Sequence, residues 1–150
     1  MKKASLALAI AALFIFSMSL TASAAIPGNF TLGINAGYPY LLTELELEYK
    51  NGPWAGGLDA AWVGNGMEIS AFGRYYVPLG AGFNFYAAVN PGLVMLFYTS
   101  PATLVGTIKA GPGFDYRWKH LRVGLEGGIL YRFGAPAPNF YVKGGLGYIF

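Results

Sequence analysis

From residue 30 onward, apolar and polar positions alternate with a period of two. That is the period of an extended strand with one apolar face and one polar or small face. The last stretch, NFYVKGGLGYIF, is typical: Phe140, Val142, Leu146, Tyr148 and Phe150 share one parity, and Asn139, Tyr141, Lys143, Gly145 and Gly147 the other. The same alternation predicts strands over 30–38, 44–50, 54–62, 67–77, 83–98, 104–118, 121–133 and 139–150. Between them stand turn signals: Asn51-Gly52-Pro53, Gly64-Asn65-Gly66, Pro78-Leu79-Gly80, Thr99-Ser100-Pro101, Lys119-His120 and the segment Gly134 to Pro138. Eight strands with short connections predict an all-β fold, an antiparallel up-and-down barrel. Reading Asn90-Pro91-Gly92 as a further turn would give ten strands, short ones for a bilayer.

Ahead of the first strand, Met1-Lys2-Lys3 precedes an apolar run from Ala4 to about Leu20, then Ala22-Ser23-Ala24. A charged start, an apolar core and a small-x-small site predict a secretory signal peptide over 1–24, leaving 25–150 as one barrel domain. The apolar run is short for a membrane anchor, and no stop-transfer flank follows it. Charged residues make up only 11% of the chain, against about 25% in ordinary soluble domains. Aromatic residues reach 17% and glycines number 22, yet no run beyond the leader would make a membrane helix. A chain this apolar needs a large core or a lipid solvent. It has no cysteine, hence no disulfide framework or thiolate site. The net charge of +3 includes Lys2 and Lys3; without them acids and bases nearly balance, so no nucleic-acid surface is implied.

Alternation alone does not say whether the apolar face points inward, as in a lipocalin-like barrel, or outward to lipid. Two features decide for lipid. All seven acids, Glu44, Glu46, Glu48, Asp59, Glu68, Asp115 and Glu126, fall on the polar parity, with nearly all bases, while the turns are almost bare of charge; soluble proteins charge their surfaces. The apolar face is also zoned. Tyr38, Trp62, Met67, Phe97, Phe133 and Phe140 cluster at one end, and Tyr49, Trp54, Tyr75, Phe83, Tyr116, Trp118, Tyr148 and Phe150 at the other, with aliphatic and small residues between. Two aromatic girdles around an aliphatic belt mark a bilayer, and lipid then requires closure.

Signal peptide, eight strands and terminal Phe150 together resemble the small bacterial outer-membrane barrels of the OmpA transmembrane-domain and OmpX type. The resemblance implies outer-membrane localisation, a lipid bilayer as partner, and assembly machinery that reads the closing strand ending in Phe150. It also implies periplasmic turns at Asn51–Pro53, Pro78–Ala81 and Lys119–His120. The turns at Tyr38–Tyr40, Val63–Gly66, Thr99–Ala102 and Gly134–Pro138 would then face outside. These outer turns are far shorter than the loops usual in that class.

An eight-stranded barrel is just wide enough for side chains to fill. The interior is therefore expected to pair Glu44, Glu46, Glu48, Asp59, Asp115 and Glu126 with Arg74, Lys109, Arg117, Arg122, Arg132 and Lys143, since buried charge persists only when paired. Such a plug fixes register; the alternative is a narrow ion or small-solute path through rearranging salt bridges. No cofactor, metal or catalytic residue is expected. The three glutamates of one strand spread along the axis, His120 lies in a turn, and neither Ser70 nor Ser100 has a histidine partner. Pro91 and Pro112 fall within neighbouring strands, where each removes a ladder hydrogen bond. They predict a bulge or, alternatively, a lateral gate for an acyl chain beside the apolar inward face of Val94, Leu96, Tyr98 and Val105.

Overall fold

The computed structural model describes residues 28–38, 43–97 and 103–150. The expected leader (1–24), the turn after Tyr38 and the turn at Thr99–Ala102, together with Tyr98, lie outside the described residues. Eight strands follow one another: β1 (Asn29–Tyr38), β2 (Glu44–Asn51), β3 (Trp54–Trp62), β4 (Gly66–Gly80), β5 (Phe83–Leu96), β6 (Thr103–Trp118), β7 (Leu121–Arg132) and β8 (Asn139–Ile149). Each pairs antiparallel with the next, and β1 pairs with β8 from Thr31↔Ile149 to Tyr38↔Val142, closing the barrel. The end carrying Asn29, Trp54, Phe83 and Trp118 is termed lower; the end carrying Tyr38, Trp62 and Leu96 is upper.

Burial alternates along every strand, but with the polarity of a water-soluble protein reversed. On β1, Phe30, Leu32, Ile34 and Tyr38 are exposed while Thr31 and Asn35 are buried; on β2, Leu45 and Leu47 are exposed while Glu44, Glu46 and Glu48 are buried. An apolar face continuous around all eight strands is far larger than the patches soluble monomers expose. Among the described residues, buried apolar side chains pack together inside in two small groups. Ala55, Tyr76, Tyr86 and Ala88 pack in the lower half, and Ala61, Val63 and Val94, backed by Leu96, pack near the upper mouth.

One expected boundary and the expected bulge are corrected, and the alternative ten-strand reading falls away. Pro78-Leu79-Gly80 does not end β4: Pro78 still faces Asn84 on β5, the register shifts between Pro78 and Gly80, and the chain reverses at Ala81 and Gly82. The reversal needs three successive left-handed residues, Gly80 (φ 97), Ala81 (φ 51) and Gly82 (φ 86), and glycine at two of them keeps that conformation inexpensive. Asn90-Pro91-Gly92 is not a turn, because β5 runs straight through it. Nor does a bulge form at either proline. The β5–β6 ladder is unbroken from Phe83↔Tyr116 to Leu96↔Thr103. Pairing instead lapses, without register change, between β4 and β5 opposite Pro91 and between β6 and β7 opposite Pro112. Each proline turns its missing N–H away from the seam the two strands share, so the loss falls on two separate seams.

Candidate functional site

The parity that exposes the aliphatic belt sends every carboxylate of the chain inward. All seven are buried, as are Arg74, Lys109, Arg122 and Lys143. Glu44, Glu46 and Glu48 sit at alternate positions of β2, spaced by about 7 Å along the strand, so each meets a different level of the opposite wall.

Arg74, at 1% exposure, is the hub of the lower two-thirds. Its Nη1 donates to Glu46 Oε1 (2.8 Å) and Glu48 Oε2 (2.7 Å), its Nη2 to Glu46 Oε2 (2.7 Å) and Glu126 Oε2 (3.0 Å), and its Nε to Glu126 Oε2 (3.2 Å). The guanidinium also lies 4.2 Å from the Phe72 ring centroid and 5.1 Å from that of Tyr86. Arg122 donates from Nη1 to Glu46 Oε1 and from Nε to Asp115 Oδ2 (3.0 Å). Arg117 donates from Nε to Asp115 Oδ2 (3.0 Å) and from Nη2 to Glu48 Oε1 (2.5 Å), while Tyr76 Oη donates to Glu48 Oε2 (2.9 Å). Arginine suits this position, since its planar fork engages several carboxylates at once.

Lysines carry the upper tier. Lys143 Nζ lies 2.6 Å from Glu44, 3.4 Å from Asp59 and 3.8 Å from Glu126. Lys109 Nζ lies 3.2 Å from Glu68 and 3.7 Å from Glu44. Arg132 is half-buried at the upper end of β7.

Neutral groups complete the network, and these the sequence reasoning passed over. Asn35 bridges Glu44 and Glu46, Thr107 donates to Glu68, and both Asn90 and Tyr141 donate to Glu126. Glu68, which its parity places inside, joins the network through Thr107 and Lys109. The available signal was position: Asn35, Tyr76, Tyr86 and Tyr141 all occupy the charged parity. Tyr86 further fills the space above Gly113, where an added Cβ would meet its ring at 2.2 Å.

Carboxylate oxygens of Glu44, Glu46 and Asp59 lie within 4.8 Å of one another. Lys143, Arg74, Arg122 and Asn35 already engage those of Glu44 and Glu46. An ammonium, two guanidinium groups and an amide therefore stand where a cation would need open oxygen ligands. His120 stands at the lower rim, its Nδ1 2.8 Å from the Ile149 carbonyl oxygen and its ring stacked on Tyr148. Ser70 is buried inside with its hydroxyl 3.5 Å from Asp59, so histidine and serine lie on opposite sides of the wall. Ser100 lies outside the described residues.

Most aromatic residues of the outer face fall at the two rims, while Phe85 and Phe114 pack together further in. At the lower rim, ring centroids of Phe30 and Tyr49, Trp54 and Tyr75, Phe83 and Tyr116, and Tyr148 and Phe150 lie within 5.0 Å; Trp118 stands exposed beside them. At the upper rim Trp62 and Phe97 are 6.0 Å apart, with Tyr38, Phe133 and Phe140 also exposed. Tyr49 and Tyr116 are half-buried under their neighbouring rings.

No protein-family model and no curated protein matches the chain. Among solved structures, it is similar to the N-terminal β-barrel domain of Pseudomonas aeruginosa OprF (TM-score 0.62, 13% identity), over 82% of this chain and 96% of that one. A designed transmembrane β-barrel aligns with TM-score 0.58 and 17% identity over 83% and 97% of the two chains. Neisserial surface protein A aligns with TM-score 0.50 and 10% identity over 81% and 92%. At these identities the likeness is one of fold. The chain has the fold of the small eight-stranded outer-membrane barrels, the OmpA transmembrane-domain and OmpX type.

Proposed function

We propose that the protein is an integral component of the bacterial outer membrane, exported by the segment 1–24, and that it works as a closed, non-enzymatic barrel. Its lumen would be filled by an ionic plug. The observation that carries this reading is Arg74: a guanidinium at 1% exposure, shared by Glu46, Glu48 and Glu126, crosses the lumen where a pore would need water. Above it the apolar group of Ala61, Val63, Val94 and Leu96 lines the upper mouth, and a dry apolar constriction opposes ion entry. The exposed belt supports lipid contact, and the closing strand β8 with Phe150 is the segment offered to assembly machinery. The unbroken β5–β6 ladder weighs against an acyl-chain gate at Pro91 and Pro112.

Single-channel recording of the chain refolded in a planar bilayer tests the plug. A folded, heat-modifiable protein that gives no discrete current steps is the expected result. Steps of constant amplitude would replace the plug with a conducting path through the salt bridges.

A further inference from the structure

Among the described residues, Lys50 is an inward-facing cation that forms no ion pair with the carboxylate network. It stands half-buried on the charged parity of β2, at the lower mouth. Among the described residues its Nζ makes no ion pair with a carboxylate; it bonds the Gly52 carbonyl oxygen at 2.6 Å and lies 5.2 Å from the Tyr76 ring centroid. The guanidinium of Arg117 lies 5.1 Å from that same ring. Two like charges thus converge on one aromatic side chain.

The carboxylates nearby are already spent. Asp115 accepts from Arg117, Arg122 and Asn84, and Glu48 from Arg74, Arg117 and Tyr76. Arg117 commits Nε and Nη2 to them, whereas its Nη1 has no hydrogen-bond partner. In this tier Arg74 and Arg122 also reach Glu46, and Lys50 stands at the mouth with no carboxylate of its own. Like charges set against one ring repel unless a counter-charge enters between them, and a tetrahedral oxyanion matches both an ammonium and a guanidinium edge.

We propose that the lower mouth of the barrel binds a phosphate-type oxyanion between Lys50 and Arg117, over the Tyr76 ring. The anion is either free in solution or the headgroup of an anionic lipid at the adjoining rim, where Lys119 and Trp118 lie outside the lumen.

The test is titration of inorganic phosphate into the full chain refolded in zwitterionic micelles, at constant ionic strength set with chloride, followed by backbone amide NMR. A saturable shift confined to the amides of Lys50, Asn51 and Arg117 is expected. Lys50→Gln should weaken it about tenfold, the effect of losing one charge-assisted contact, Lys50→Arg should retain it, and Lys119→Gln should leave it unchanged. Lys50 lies outside the plug, so its variants keep the folded, heat-modifiable form, which the same samples verify. Competition by phosphatidylglycerol but not phosphatidylcholine would assign the anion to a lipid headgroup, and no competition to a soluble anion. Absence of saturation, equal affinity in Lys50→Gln, or loss in Lys119→Gln would overturn the site.

Discussion

Arg74→Ala should be the most destabilising single change in the lumen, lowering the free energy of unfolding by about 3–5 kcal/mol, the cost of breaking a buried ion pair by removing one partner. The substitution strands Glu46, Glu48 and Glu126, which all bond Arg74 and are at most 2% exposed. Three carboxylates deprived of their shared cation would then repel one another where water is scarce. Arg122 and Lys143 reach Glu46 and Glu126 from other sides, which keeps the loss within that range. Urea unfolding in phosphatidylcholine vesicles, followed by the fluorescence of Trp54, Trp62 and Trp118, measures it. Adding Glu46→Gln and Glu126→Gln should recover part of the loss, because neutral amides leave no stranded charge. A loss below about 1 kcal/mol would place Arg74 among the weak ion pairs of solvated surfaces.

The second large effect lies on the opposite face. Val89 is 54% exposed near the middle of β5. In lipid, Val89→Arg should cost about 2–4 kcal/mol, the penalty for a cation at the bilayer midplane. On a water-facing surface, the same change would stay within about 0.5 kcal/mol. The vesicle unfolding assay reads it directly. Trp62→Arg, at the upper rim, should cost less than Val89→Arg, since the penalty falls toward the interface.

Strand count and facing were legible because a period of two is enforced at every residue by the pleat. One slip would turn Glu44, Glu46 and Glu48 out to lipid, so the pattern is under strong constraint. Strand ends were less legible where turn residues mislead. Pro78-Leu79-Gly80 has turn composition, yet the strand runs on past Pro78 and reverses at Ala81 and Gly82. Pro91 reads as a breaker, yet it costs only one seam its hydrogen bond, because β6 pairs across its other side.

The partners in the lumen were hardly legible at all. Arg74 meets Glu126 across 52 residues, Arg122 meets Glu46 across 76, and Lys143 meets Glu44 across 99. Those meetings depend on strand tilt and stagger around a closed barrel, which alternation along a single strand does not encode. Parity could say that Arg74 and Lys50 both point inward. It could not say that one is shared by three glutamates while the other turns to the Gly52 carbonyl and the Tyr76 ring.

The account rests on the apolar face looking into lipid, and a nitroxide scan along β5 tests that most directly. The chain has no cysteine, so single cysteines can be placed at Phe85, Tyr86, Ala87, Ala88, Val89 and Asn90 and labelled without background. In vesicles, accessibility to oxygen, which concentrates in the bilayer, should alternate: high at 85, 87 and 89 and low at 86, 88 and 90. Accessibility to a water-soluble nickel chelate should be low at 85, 87 and 89. Strong access of the chelate to positions 85, 87 and 89, or oxygen access without alternation, would contradict a lipid-facing belt.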